Sequence, residues 1–172
     1  MSTTPRLAFL FVDRVRRLVK NEEIVACRDL LPSEEIFAHH FPGRPMMPAS
    51  LLIEAAAQAA TILLEVGNEF RDKAFVGYVS QAKFRRVVVP GHEMVIRMMA
   101  TSVRSDGAVL RGTIEQRNQR CVSLELGMAI SPLSDFYPPE HRSRYRAMYE
   151  TFLDGAVLEG FDRDPLERLR DA

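Results

Sequence analysis

His39-His40-Phe41-Pro42-Gly43-Arg44-Pro45-Met46-Met47-Pro48 runs directly into Ala49-Ser50-Leu51-Leu52-Ile53-Glu54-Ala55-Ala56-Ala57-Gln58. Three prolines fix φ in the first stretch, and each biases the residue before it away from the helical region, so this loop has few shapes open to it. Pro48 suits a first helical turn, where a missing N–H costs nothing. From Leu51 to Val66 the chain is rich in Leu, Ile, Ala and Val, with no breaker before Gly67, which predicts one long helix. Ser50, Glu54, Gln58, Thr61 and Glu65 recur at intervals of four, four, three and four, so its polar side chains share one face. The other faces are apolar, the mark of a buried helix. An acid in such a helix must be paired, hydrogen-bonded or protonated. Glu54 could instead sit solvated at a wet edge, but the rigid His-bearing loop ahead of it favours a functional pair.

Outward from this unit the pattern changes to strands. Leu7 to Val12 is a short apolar run expected as a strand or strand entry, and Glu23 to Asp29 reads as a second strand, with a turn at Lys20-Asn21-Glu22. Arg14, Arg16, Arg17 and Lys20 read as a solvated strand end. After the helix, Ala74 to Val89 is expected as a long strand ended by Pro90-Gly91. Glu93 to Arg104 and Ala108 to Gln116 flank a hairpin signal at Ser105-Asp106-Gly107. Beyond a turn at Asn118-Gln119, residues 120–130 alternate Val122, Leu124, Leu126, Met128 and Ile130 against Ser123, Glu125 and Gly127. One long helix followed by hairpin strands is an α+β pattern. Its edge strand would be left open, and dimerisation is one way to cover it.

Past Ser131-Pro132 the pattern changes again. Pro138-Pro139-Glu140 opens a second helix with Tyr145, Met148, Tyr149 and Phe152 in one apolar stripe. Gly155 and Gly160 break it, and Arg163 to Ala172 reads as charged and frayed. The expected division is a main domain over 1–131 and a C-terminal helical extension over 132–172. The extension packs on its own sheet or a dimer mate, or else acts as a docking or lid element.

The 172 residues are 47% apolar, and 23 Lys and Arg balance 23 Asp and Glu. A neutral chain lacks the basic excess of a nucleic-acid binder. Two cysteines, Cys27 and Cys121, are too few for a disulfide framework and fit a reducing compartment. The Leu7–Val12 run is too short for a signal peptide and meets Asp13 and Arg14. The long helix carries Glu54, Gln58 and Glu65, which argues against a membrane span. A soluble, cytoplasmic protein is expected. With no metal-ligand spacing, Gly-rich phosphate loop or nucleophile elbow in the sequence, neither metal nor cofactor is expected.

Three segments in order carry a family resemblance. His40-Phe41-Pro42-Gly43-Arg44-Pro45-Met46-Met47-Pro48 with Glu54-Ala55-Ala56-Ala57-Gln58 closely resembles the signature of the β-hydroxyacyl-(acyl carrier protein) dehydratases, hotdog-fold enzymes of fatty acid synthesis. Phe9-Leu10-Phe11-Val12-Asp13-Arg14-Val15 and Ala82-Lys83-Phe84-Arg85-Arg86-Val87-Val88-Val89-Pro90-Gly91 are similar to the same family, which the chain resembles from about Arg6 to Ile130. The resemblance implies a hotdog fold, an antiparallel sheet wrapped around the central helix. It also implies dehydration of (3R)-3-hydroxyacyl-acyl carrier protein to trans-2-enoyl thioesters, in fatty acid or a related lipid or polyketide synthesis.

Such an elimination needs a base for the α-proton, an acid for the departing hydroxyl and donors for the thioester oxygen. Histidine suits the base, with an ordinary pKa of about 6.5. A Glu acid needs its pKa raised, for which burial is the usual means. A helix N-terminus supplies N–H donors. By resemblance His40 is the base and Glu54 the acid, drawn from different subunits of a homodimer or larger oligomer. Gly43, Met46, Ala49 and Gln58 fall at substrate-binding positions, with Gln58 hydrogen-bonding the acid. Relatives usually have Gly at position 49; Ala49 keeps the N–H, while its methyl restricts φ. Relatives usually have Gly at 39 as well, and His39 is assigned no role. Lys83 and Arg85, with Arg86, are the candidates for meeting an acidic carrier protein, and coenzyme A remains open as the thiol. Two alternatives stand beside this reading: a hotdog thioesterase, and a catalytically silent carrier-binding subunit.

Overall fold

Seven strands form one sheet around a long helix in the computed structural model, which describes residues 9–169. The order along the chain is β1 (Arg14–Val19), β2 (Glu23–Asp29), the short α1 (Glu35–His39), the central α2 (Ala49–Gly67) and β3 (Asp72–Phe84). Then follow β4 (Glu93–Val103), β5 (Gly107–Gln116), β6 (Gln119–Pro132), α3 (Arg142–Leu153) and β7 (Val157–Glu159). Across the sheet the order is β3-β6-β5-β4-β2-β1-β7. The hairpin expected at Ser105-Asp106-Gly107 joins β4 to β5.

α2 lies against the concave face of this sheet. Ala55, Ala56, Ala59 and Ala60 are fully buried, and such small side chains let a helix backbone approach a sheet closely. Leu52, Ile62, Leu63, Leu64 and Val66 fill the space around them. The strands answer with Ile24, Ala26, Met94, Ile96, Met98, Leu110, Ile114, Val122, Leu124, Leu126 and Met128, one pleat face of each. By length and composition α2 could cross a membrane, but most of it is enclosed by this chain, as a core helix is. The arrangement is the hotdog fold that the sequence resemblance implied.

The structure departs from the sequence reading in several places. β7 pairs parallel to β1, so the sheet is mixed rather than wholly antiparallel. A parallel neighbour requires the chain to cross over and return, and α3 provides that crossing. The run expected as a strand or strand entry is an entry: residues 9–12 lie in no strand, the Asp13 N–H donates to the Cys27 carbonyl of β2 at 2.9 Å and β1 follows, while Leu7 lies outside the described residues. Phe11 and Val12 are buried, and the Phe11 N–H is taken by the Gln58 side chain ahead of the pairing with β2. The arginines of β1 are ion-paired, Arg14 to Asp29 at 2.9 Å and Arg17 to Glu159 at 2.8 Å. β3 stops at Phe84, because the chain beyond it bends to meet the His40 loop.

Gly67 closes α2 in a helical conformation, not a left-handed one; a Cβ there would meet the Asn21 side chain at 2.4 Å. The reversal falls instead to Glu69 and Phe70, both at positive φ. The tail is not frayed over its described part: Leu166 and Leu169 are buried, and Arg163 pairs with Glu69 at 3.2 Å.

Candidate active site

The loop before α2 is held by its own backbone. Gly43, at φ +78°, sits in a turn where Arg44 donates to the Phe41 carbonyl at 3.0 Å. Met46 donates to the His40 carbonyl at 2.9 Å, and Met47 to that of Val88 at 2.7 Å. The buried Met47 side chain anchors the loop in the core. His40 Nδ1 lies 3.1 Å from the Met46 carbonyl oxygen. A carbonyl only accepts, so Nδ1 carries a proton, and in the neutral ring the lone pair a general base requires is then on Nε2. The His40 ring stacks on Phe41 with centroids 4.2 Å apart.

His40 opens into a cleft of about 320 Å³, lined also by Met46, Ala49 and Leu52 and by Phe84 to Val88. Met46 and Ala49 are therefore beside the histidine, whereas Gly43 shapes the turn and does not line the cleft. Ala49 is the first residue of α2, in ordinary helical conformation, so its methyl imposes no strain. No side chain caps this helix and no acid occupies its first turn, which leaves backbone N–H groups and the positive dipole end for a ligand. Arg85 and Arg86 line the same cleft, and Arg85 is steadied by the Ser123 hydroxyl at 2.9 Å. Lys83 is exposed on β3 and lies outside it. His39 points away, exposed, with Glu35 at 3.9 Å.

Glu54 does not face His40 within one chain. It borders a second cleft of about 380 Å³ along α2, with Ala57, Gln58, Thr61 and Ile62, the first residues of β3, and Met148 and Phe152 from α3. Gln58 donates to Glu54 Oε1 at 2.8 Å and to the Phe9 carbonyl at 2.7 Å, while its Oε1 accepts from the Phe11 N–H at 2.7 Å. That last contact orients the amide, so the NH₂ faces the acid. Gln58 thus hydrogen-bonds Glu54 from one turn further along α2. Glu54 is exposed in the single chain, so the burial expected of it is not supplied by its own subunit.

The buried acid of α2 is Glu65, with no exposure at all. Its carboxylate takes Lys73 Nζ at 2.7 Å, the Ala74 N–H at 3.1 Å and the hydroxyls of Tyr145 and Tyr149. Burial, and then the adjacent Glu65 charge, push both tyrosines well above their ordinary pKa. The sequence showed Glu65 only as one more residue of the polar stripe. The i, i+4 spacing of Tyr145 and Tyr149 was visible, but not which acid they would meet.

With this geometry established, comparison with known proteins gives a consistent result. A family model described as a FabA-like domain matches residues 4–119. The chain belongs to the FabA-like family. A 3-hydroxyacyl-(acyl-carrier-protein) dehydratase FabZ from Levilactobacillus brevis is 35% identical over 131 residues, covering 76% of this chain and 88% of the relative. A protein of the same name from Lactiplantibacillus plantarum is 41% identical over 102 residues, covering 59% of this chain and 69% of that one. Among solved structures, smu.793 from Streptococcus mutans bound to acetyl CoA aligns with a TM-score of 0.56 at 8% identity, covering 69% of this chain and 88% of that one. At that identity the likeness speaks to the fold. The FabA-like match ends inside the sheet, so α3 and β7 lie beyond it.

Proposed function

We propose that this chain eliminates water from 3-hydroxyacyl thioesters on acyl carrier protein, in sites that two copies build together. The observation that carries the two-copy reading is that His40 and Glu54 line different clefts, which reach opposite ends of the edge strand β3. The His40 cleft includes Phe84 at one end of that strand, and the Glu54 cleft includes residues 73–76 at the other. Eight residues of strand separate Val76 from Phe84, roughly 26 Å. Among the described residues β3 has β6 as its one neighbour, and its Phe75, Val76, Tyr78, Val79 and Phe84 are each 37 to 55% exposed. A second copy pairing antiparallel along β3 covers that apolar strand. It also sets the end of one β3 beside the start of the other, which joins His40 of one copy to Glu54 of its mate.

In the joined site His40 Nε2 takes the α-proton, the C–H electrons form the double bond, and protonated Glu54 gives its proton to the departing hydroxyl. The Gln58 amide holds Glu54 Oε1 and leaves Oε2 to carry that proton. The N–H groups at the start of α2, Ala49 among them, receive the negative charge gathering on the thioester oxygen. Arg85 and Arg86 at the mouth of the His40 cleft suit the phosphate and acidic surface of a loaded carrier protein. A cytoplasmic location fits this role.

Mixed dimers test the reading. His40→Ala and Glu54→Gln should each abolish formation of enoyl thioester, followed by its absorbance. Unfolded together and refolded, the two variants should recover about a quarter of wild-type activity, since half the dimers are mixed and each holds one complete site. No recovery, with mixed dimers shown by native mass measurement, would refute the shared site. Free thiol release by wild type would mean a thioesterase, and carrier binding without turnover a silent subunit.

A further inference from the structure

Beyond Glu54 the second cleft continues along α2 past Ala57 and Thr61 to Ile62, about 12 Å of helix. Leu10, Ala74, Phe75 and Val76 give it apolar sides, and Lys73 beside them is neutralised by Glu65 at 2.7 Å. Its far wall is built by Tyr137, Met148 and Phe152, which lie past the end of the FabA-like match. This wall is fixed in place. Tyr145 and Tyr149 of α3 both donate to Glu65, Phe152 is buried, and Phe136 of the same segment packs on Phe75 with ring centroids 5.6 Å apart. Met148 differs from its neighbours on the stripe in being only partly buried, and its side chain lines the cleft.

We propose that α3 closes the acyl-chain end of the site and that Met148 sets the length of aliphatic chain admitted. The proposal rests on the dehydratase reading for the identity of the ligand. From a thioester between His40 and Glu54 this cleft offers an apolar path along α2, while Gln58 and the Phe9–Phe11 backbone bound to it occupy one flank of Glu54. The sides bury methylenes, and the Met148 thioether and the Phe152 ring stop the chain. The C-terminal segment, which the sequence suggested as a packing or docking element, is then a specificity element of the site itself.

The test compares kcat/KM across 3-hydroxyacyl-carrier thioesters of four to sixteen carbons for the full chain, Met148→Ala and Met148→Trp. Wild type should fall off with length. Met148→Ala opens room for about two more methylenes, each worth roughly fourfold in binding, so the fall-off moves about two carbons longer and the first excluded chain gains about tenfold or more. Met148→Trp moves the fall-off the other way. A wild type that accepts sixteen carbons as readily as four, or a fall-off unmoved by both variants, overturns the proposal. A second readout needs no turnover. The chain has no Trp, so Met148→Trp places a single indole in the wall. Octanoyl-pantetheine should shift its emission saturably while acetyl-pantetheine leaves it unmoved. Equal responses to both overturn the wall even in an active enzyme. A length-dependent response in a protein that dehydrates nothing keeps the wall and removes the dehydratase reading.

Discussion

Replacing Glu65 by Leu removes a carboxylate that four groups share. Lys73 Nζ at 2.7 Å would be stranded, its side chain only 18% exposed. The Ala74 N–H and the buried hydroxyls of Tyr145 and Tyr149 would lose their acceptor. Removing one partner of a buried pair costs about 3–5 kcal/mol. Each buried donor left unmade adds roughly 1 kcal/mol or more, partly recovered by relaxation and water. The expected loss is about 4–6 kcal/mol, a large share of the ~5–15 kcal/mol by which a domain of this kind is stable. A double-mutant cycle isolates the cause. Lys73→Met on top of Glu65→Leu removes the stranded ammonium, so the pair should cost less than the sum of the singles by about 2 kcal/mol. The assay is urea unfolding followed by circular dichroism at one protein concentration, since association would shift the midpoint. A Glu65→Leu loss under about 1 kcal/mol, or simple additivity with Lys73→Met, would refute the reasoning.

Gln58→Leu removes the donor to Glu54 and strands the Phe11 N–H; we expect kcat to fall about tenfold or more and stability by roughly 1–2 kcal/mol, checked by steady-state kinetics beside urea melts. Gly112→Ala would set a methyl 2.5 Å from the Arg97 carbonyl oxygen on the adjacent strand, and should cost about 1–3 kcal/mol in the same melts; a neutral result would show that β4 and β5 can part there. Burial pushes the Cys27 thiol from 9.0 up to about 11, and burial with the Glu65 charge raises Tyr145 and Tyr149 above 10.0. Each is an acid that the unfolded chain ionises first, so their stabilisation is whole below pH 9 and lost as pH rises. The Cys27 share, roughly 2–3 kcal/mol, disappears across the interval from 9 to 11, and Cys27→Ala should flatten the pH dependence there, measured as unfolding free energy at pH 8, 10 and 11.

Much of this protein was legible in the chain because its signals are local and periodic. The polar stripe and the run of alanines marked α2, the strict alternation after Arg120 marked β6, and Ser105-Asp106-Gly107 marked the hairpin between β4 and β5. The His40 loop was legible for the same reason, its prolines and glycine restricting the backbone residue by residue. Where a run was apolar without a period, the sequence left strand and strand entry open: Phe11 and Val12 are buried just ahead of β1, and the Phe11 N–H goes to the Gln58 side chain rather than to a strand.

Only the tertiary structure decided which acid of the stripe is buried. Glu54 and Glu65 stand on the same helical face, yet one is exposed and the other meets Lys73, Tyr145 and Tyr149 across 80 residues or more of chain for the two tyrosines. Such a meeting depends on how α3 crosses back to place β7 beside β1, a long-range packing choice with no local sequence mark. The separation of His40 from Glu54 has the same origin. Fourteen residues apart in sequence, they line different clefts that reach opposite ends of β3, because a rigid loop and a straight helix aim side chains by geometry and not by proximity along the chain.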